Sequence, residues 1–179
     1  MSLELVTRRY PVDLQALQAK LQQDLAAPFD AVLHLGQAPG TASIKLEAIA
    51  LNVAGCMGES GEALAPIVDA APLAYSSRMP LARWAQLLRQ SSIPATVSYH
   101  AGTFLCNATM YLSHHFIHAR RLKTPVGFVH LPLVMEQVAP QPQALPSMTT
   151  STLAKALRLI LEDLAATAQT ASHGSRPTV

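Results

Sequence analysis

Three short apolar runs constrain the fold of this chain more than any other feature. They are FDAVLHL (Phe29 to Leu35), PATVSY (Pro94 to Tyr99) and VGFVHLPL (Val126 to Leu133). Each has the length of a strand, and two are continuously apolar rather than alternating, which fits strands covered on both faces, as in parallel sheets. Between and around them lie stretches with helical spacing. Leu14, Leu17, Leu21 and Leu25 recur along one face of a predicted helix over Val12 to Leu25. A second helix is predicted over Pro80 to Gln90, with proline at its start, where a missing N–H is tolerated. A third runs from about Phe104 to Arg121, and a closing one from Thr149 to Gln169. Further strands are expected at Leu3 to Arg8 and Ala48 to Val53. Loops are expected at Gly55 to Ala65, which holds three glycines, and at Val138 to Pro146. Strands alternating with helices argue for a single three-layer α/β/α domain over residues 1–169. The tail from Thr170 to Val179 is expected to be disordered.

Half of the 179 residues are apolar and 13% are charged. That excludes a disordered chain, which needs low hydrophobicity and high charge. The net charge of +2 is scattered, apart from Arg120, Arg121 and Lys123. Nucleic-acid binding would want a basic face, so that cluster is read as a helix end, where cations suit the dipole. No stretch is long and apolar enough to span a membrane, and the first residues lack the apolar core of a signal peptide. The default is a cytoplasmic, reducing compartment in which Cys56 and Cys106 are free thiols.

Cys106 follows a strand, a turn containing Gly102, and Thr103, which is placed to cap a helix. A thiol in the first turn of a helix faces unpaired N–H groups and the positive end of the dipole. Both favour the thiolate, the nucleophilic form of cysteine. The same N–H groups suit a tetrahedral oxyanion. The competing reading is a small buried apolar residue. His130 lies inside an apolar strand and is either a general base or a structural histidine with satisfied nitrogens. Glu47 precedes an apolar run and either orients an imidazole or sits at a strand edge in solvent. The loop HLGQAPG (His34 to Gly40) lacks the Gly-Lys-Ser/Thr ending of a phosphate-binding loop. His114, His115 and His118 have zinc-compatible spacing but lack the Glu of the metalloprotease motif, so they are read as surface or core residues.

Four segments, in order, resemble the pyroglutamyl peptidase I family. HLGQAPGTASIKLEAIALN (His34 to Asn52) is similar to the family's glycine loop followed by its catalytic glutamate. PATVSYHAGTFLCNATMYLSHH (Pro94 to His115) resembles its Ser-Ala-Gly-Thr-x-x-Cys-Asn turn. VGFVHLPLVMEQ (Val126 to Gln137) resembles its Gly-Phe-x-His-x-Pro strand, and Pro146 to Met148 fits a further landmark. The resemblance implies a three-layer α/β/α sandwich with a mixed, mostly parallel central sheet. It implies a cysteine peptidase that removes N-terminal pyroglutamate through a thioester, with Cys106 as nucleophile, His130 as proton carrier and Glu47 as its orienting carboxylate. Gln37, Gly102, Thr103 and Asn107 become candidates for substrate or oxyanion contacts. No metal or organic cofactor is implied; a pyroglutamyl peptide is the expected partner, and a homo-oligomer is suggested.

The chain also departs from the family pattern. Family members begin with a strand, a Gly-Phe-x-Pro-Phe-Gly loop that helps form the pyroglutamate pocket, and a helix; the sequence starts after that unit. Asn52 is followed by VAGCMGESGEALAP, which contains no arginine where the family carries Asp-Ala-Arg-x-Pro-Asp. Ala48 replaces an arginine, and Tyr99 and His100 replace other residues. These departures keep two alternatives in play: an impaired or truncated homologue that binds a ligand or partner, and a cysteine hydrolase for another small amide. An incomplete sheet would also expose strand edges and lead to self-association.

Overall fold

A computed structural model describes residues 3–55 and 65–173 of the chain. Its centre is a four-stranded mixed sheet. The strands are β1 (Val32–Gln37), β2 (Ile44–Glu47), β5 (Ala95–Ser98) and β6 (Val126–Leu131), in the order β1-β6-β2-β5. The β1–β6 and β2–β5 pairs are parallel, and β2 runs antiparallel to β6. Two small sheets flank it. One pairs β3 (Ile49–Leu51) with β4 (Ala74–Ser76), and the other pairs β7 (Leu133–Val134) with β8 (Ser147–Met148).

Helices cover both faces, as the sequence pattern predicts. On one face lie α1 (Leu14–Asp24) and α3 (Leu105–Ala119). Leu17, Leu21 and Leu25 pack there against Ala108 and Leu112, so the leucine stripe of α1 is its buried face. The α1 helix starts at Asp13, whose carboxylate accepts from the Ala16 N–H at 2.7 Å. Its C-terminal end is covered by Arg120, which donates to the carbonyls of Leu25 and Gln22. That places one cation of the basic cluster at the negative end of a helix dipole.

On the other face lie α2 (Leu81–Gln90) and α5 (Thr150–His173). Ile44, Leu46, Trp84, Leu88, Val129, Ala156 and Ile160 form the larger core there. The fully buried Trp84 donates its indole N–H to Asp163 at 2.8 Å, and Arg83 pairs with the same carboxylate at 2.6 Å. The short α4 (Met135–Val138) closes the loop after β7.

Several expected boundaries move. Leu3 to Arg8 carries no strand; Leu3, Leu5 and Val6 are exposed and no neighbouring strand offers them a ladder. The run Ala48 to Val53 contributes only β3, while the sequence reading missed β2 just before it. The strand expected through Leu133 ends at Leu131, because Pro132 has no N–H for the ladder and the chain then joins a second sheet. The last helix continues through Thr170 to His173, beyond the expected start of a disordered tail. Residues 174–179, and Cys56 within the segment 56–64, lie outside the described residues. Among the described residues no helix is long and apolar enough to cross a membrane.

Candidate active site

The N-terminus of α3, the end of β6 and the end of β2 converge on one place. Gly102 has φ +82, a left-handed conformation that glycine adopts without Cβ strain, and it turns the chain from β5 toward α3. The helix then begins one residue later than expected. Phe104, not Thr103, is the N-cap, and it has no side-chain acceptor to offer. Thr103 instead accepts the Gly55 N–H on its carbonyl at 2.8 Å. The first intrahelical bond runs from the Ala108 N–H to the Phe104 carbonyl at 3.0 Å. The N–H groups of Leu105, Cys106 and Asn107 therefore have no acceptor within the helix. Cys106, half-buried, is the second residue of α3.

His130 and Glu47 meet the thiol from the sheet. Both are buried, Glu47 completely. The His130 Nδ1–H donates to Glu47 Oε1 at 2.8 Å, and the Cys106 side chain is the other group that acts on the imidazole. Strand pairing explains this meeting. Glu47 lies opposite Phe128 in the antiparallel β2–β6 ladder. Phe128 and His130, two apart, point to the same face of β6, so a carboxylate across from one reaches the other diagonally. Burial alone would push the His130 pKa down. Its bonds to Cys106 and Glu47, together with their charges, outweigh that and lift it to about 9. Glu47 Oε2 is buried and has no hydrogen-bond partner among the described residues.

Two of the four secondary candidates are spoken for. Asn107 is fully buried, and its amide is spent on the backbone: Nδ2 donates to Leu51 O at 2.9 Å and Val53 O at 3.1 Å, and Oδ1 accepts the Leu51 N–H at 2.8 Å. It has no donor left for an oxyanion and serves to fasten β3 to α3. Gln37 is one residue out of phase with Gly36, so its side chain leaves the other face of the strand. There it exchanges two hydrogen bonds with Gln137, at 2.6 and 3.1 Å. Gly102 and Thr103 shape the turn before the thiol with their backbone. A cavity of about 270 Å³ opens beside this turn, lined by Val12, Leu14, Ala54, Thr103, Phe104 and Leu105 among others.

The histidine triplet of α3 forms no metal centre: among the described residues no group of three metal-ligating side chains is assembled. The three imidazoles gather around Tyr75, with ring centroids 5.8 to 6.3 Å from it, and the Tyr75 hydroxyl lies 3.2 Å from His115 Nδ1. His34, deeply buried, pairs with the Ser113 hydroxyl at 2.8 Å. Burial drives both His34 and His114 down to about 4, which keeps them neutral core residues. The residue that sequence reasoning undervalued is Gly36, whose backbone lies against the Cys106 sulfur. The only signal for it was a glycine ending an apolar run, read as a turn.

Comparison with known proteins identifies the family. The family model described as pyroglutamyl peptidase matches residues 2–167. A pyrrolidone-carboxylate peptidase of Thermococcus onnurineus is 34% identical over 164 residues, 89% of this chain and 81% of its own length. The crystal structure of the pyrrolidone carboxyl peptidase of Fervidobacterium islandicum superposes with a TM-score of 0.81 at 38% identity, covering 87% of this chain and 79% of that one. The Thermococcus litoralis enzyme gives 0.83 at 29% identity, covering 90% and 77%. With a match over nearly its whole length and the same fold, the chain belongs to the pyroglutamyl peptidase family.

Proposed function

We propose that this chain is a cysteine peptidase that removes N-terminal pyroglutamate from peptides. The observation that carries the reading is the buried 2.8 Å Glu47–His130 hydrogen bond beside Cys106 at an uncapped helix start. A His130 raised to about 9 is a cation at neutral pH, which favours a thiolate partner. The Cys106 thiolate attacks the carbonyl joining the lactam to the next residue. The negative charge that develops on that oxygen is stabilised by the free N–H groups of the first turn of α3. His130 gives its proton to the departing amine, and the acyl group stays on sulfur as a thioester. Water, deprotonated by the now neutral His130, hydrolyses the thioester. Glu47 holds the imidazole in the tautomer that faces the thiol and stabilises its cation.

The test is release of a fluorescent amine from a pyroglutamyl amide by this chain and by Cys106→Ala. The expected result is steady turnover by the wild type and background release by the variant. A folded wild-type sample without turnover, or a variant as active as the wild type, would overturn the reading.

A further inference from the structure

We propose that Gly36 is a positioning residue for Cys106: its missing side chain keeps open the space in which the thiol meets His130. The inference rests on the reading of Cys106 and His130 as a reacting pair, and it concerns what holds that pair together.

In the parallel β1–β6 ladder Gly36 lies directly opposite His130. Residues in register point to the same face of a sheet, so His130 fills its place on that face and Gly36 leaves the adjoining place empty. The Cys106 side chain, coming down from α3, lies over that empty place. A Cβ on Gly36 would stand 3.1 Å from the Cys106 sulfur and 2.8 Å from Cζ of Phe128. Comfortable contacts between such atoms begin nearer 3.5 Å. The Phe128 ring is buried, with its centroid 4.8 Å from the His130 ring and 6.1 Å from the His34 ring. Two imidazoles and burial limit how far the ring can move to relieve the crowding.

Backbone conformation does not demand glycine here. The described glycines with positive φ are Gly40 and Gly102, and Gly36 lies in a regular strand where any residue fits. What requires glycine at this position is room beside a thiol. The neighbouring strand supplies a control. Gly127 in β6 is also crowded, somewhat less tightly, but a Cβ there would meet Met79 at 3.0 Å and Leu33 at 3.1 Å, both apolar side chains, rather than Cys106.

The experiment measures iodoacetamide alkylation of Cys106 by peptide mass spectrometry from pH 5 to 10, with turnover of a pyroglutamyl amide alongside. In the wild type, Cys106 is expected to alkylate faster in the folded protein than in urea, because the fold places it beside the imidazole. In Gly36→Ala, alkylation of the folded protein at pH 7 is expected to fall at least about tenfold, and kcat to fall comparably with KM little changed; a displacement of about 1 Å costs roughly a hundredfold. In Gly127→Ala, both readouts are expected to stay within about twofold of the wild type while the melting temperature drops, as for ordinary overpacking. Gly36→Ala with Phe128→Leu frees the ring side of the crowding and leaves the sulfur side. If that double variant regains wild-type alkylation, or if Gly36→Ala alone matches the wild type, the inference is overturned. A wild-type Cys106 that alkylates no faster in the folded protein than in urea would sink the reacting-pair reading, and the inference with it.

Discussion

Among single residues, His130 shows the largest departure from ordinary chemistry that bears on the site. Its pKa stands at about 9 because hydrogen bonds and charges from Cys106 and Glu47 overcome burial. A histidine raised above its unfolded value of about 6.5 contributes stability that is complete below that value and is lost as pH rises through about 9. In the mechanism proposed above, the same titration sets the alkaline side of activity, since there the imidazolium is the proton donor to the leaving amine. Glu47→Gln keeps the shape and an acceptor but removes a charge that raises His130. The alkaline limb of kcat/KM, measured from pH 6 to 10, is expected to move down by roughly one pH unit. The stability difference between the two proteins is expected to be largest below pH 6.5 and to fade above 9. A limb that stays in place would mean that Glu47 does not govern this proton.

At the scale of elements, the site depends on how α3 is tied to what surrounds it. Asn107 follows the thiol immediately and makes three hydrogen bonds to Leu51 and Val53 from a fully buried position. Replacing it with alanine leaves a backbone N–H and two carbonyls without partners, at about 1 kcal/mol or more each. Asn107→Ala is therefore expected to destabilise the fold by about 3 kcal/mol in urea unfolding. A loss under about 1 kcal/mol would show that water takes over those bonds. The asparagine beside the cysteine was legible as part of a motif. Its task was not, because Leu51 and Val53 lie more than fifty residues away in the chain, and only the packed structure brings their backbone to it. The same holds for Gln37, which the family resemblance made a candidate for substrate or oxyanion contacts but whose side chain strand alternation sends to the opposite face and Gln137.

At the scale of the whole molecule, the central sheet has two edge strands with no further strand beside them among the described residues. β1 and β5 terminate the four-stranded sheet, and β1 carries Leu35, which is 49% exposed. Leu3, Leu5 and Val6 are exposed as well. Unpaired strand edges with apolar side chains template pairing with another chain. The chain is expected to self-associate with rising concentration in sedimentation velocity, and Leu35→Lys to reduce that association, because lysine is a charge that edge strands use to resist pairing. Identical sedimentation of the two proteins, concentration by concentration, would remove β1 from the explanation.

The sequence by itself determined the elements that announce themselves locally. The leucine stripe of α1, the apolar β1 and β6, and the glycine turn into α3 all follow from periodicity, apolar run length and backbone freedom, which are properties of neighbouring residues. It also placed Cys106 at a helix start. Tertiary structure decided the rest. β2 was not legible because Ile44, Leu46 and Glu47 are all buried between β6 and β5, and the burial of a carboxylate has no local signal. That burial is what turns Glu47 from a solvated edge residue into the partner of His130. Leu3 to Arg8 has the composition of a strand and is none, because a strand exists only where another backbone lies beside it to complete its hydrogen bonds.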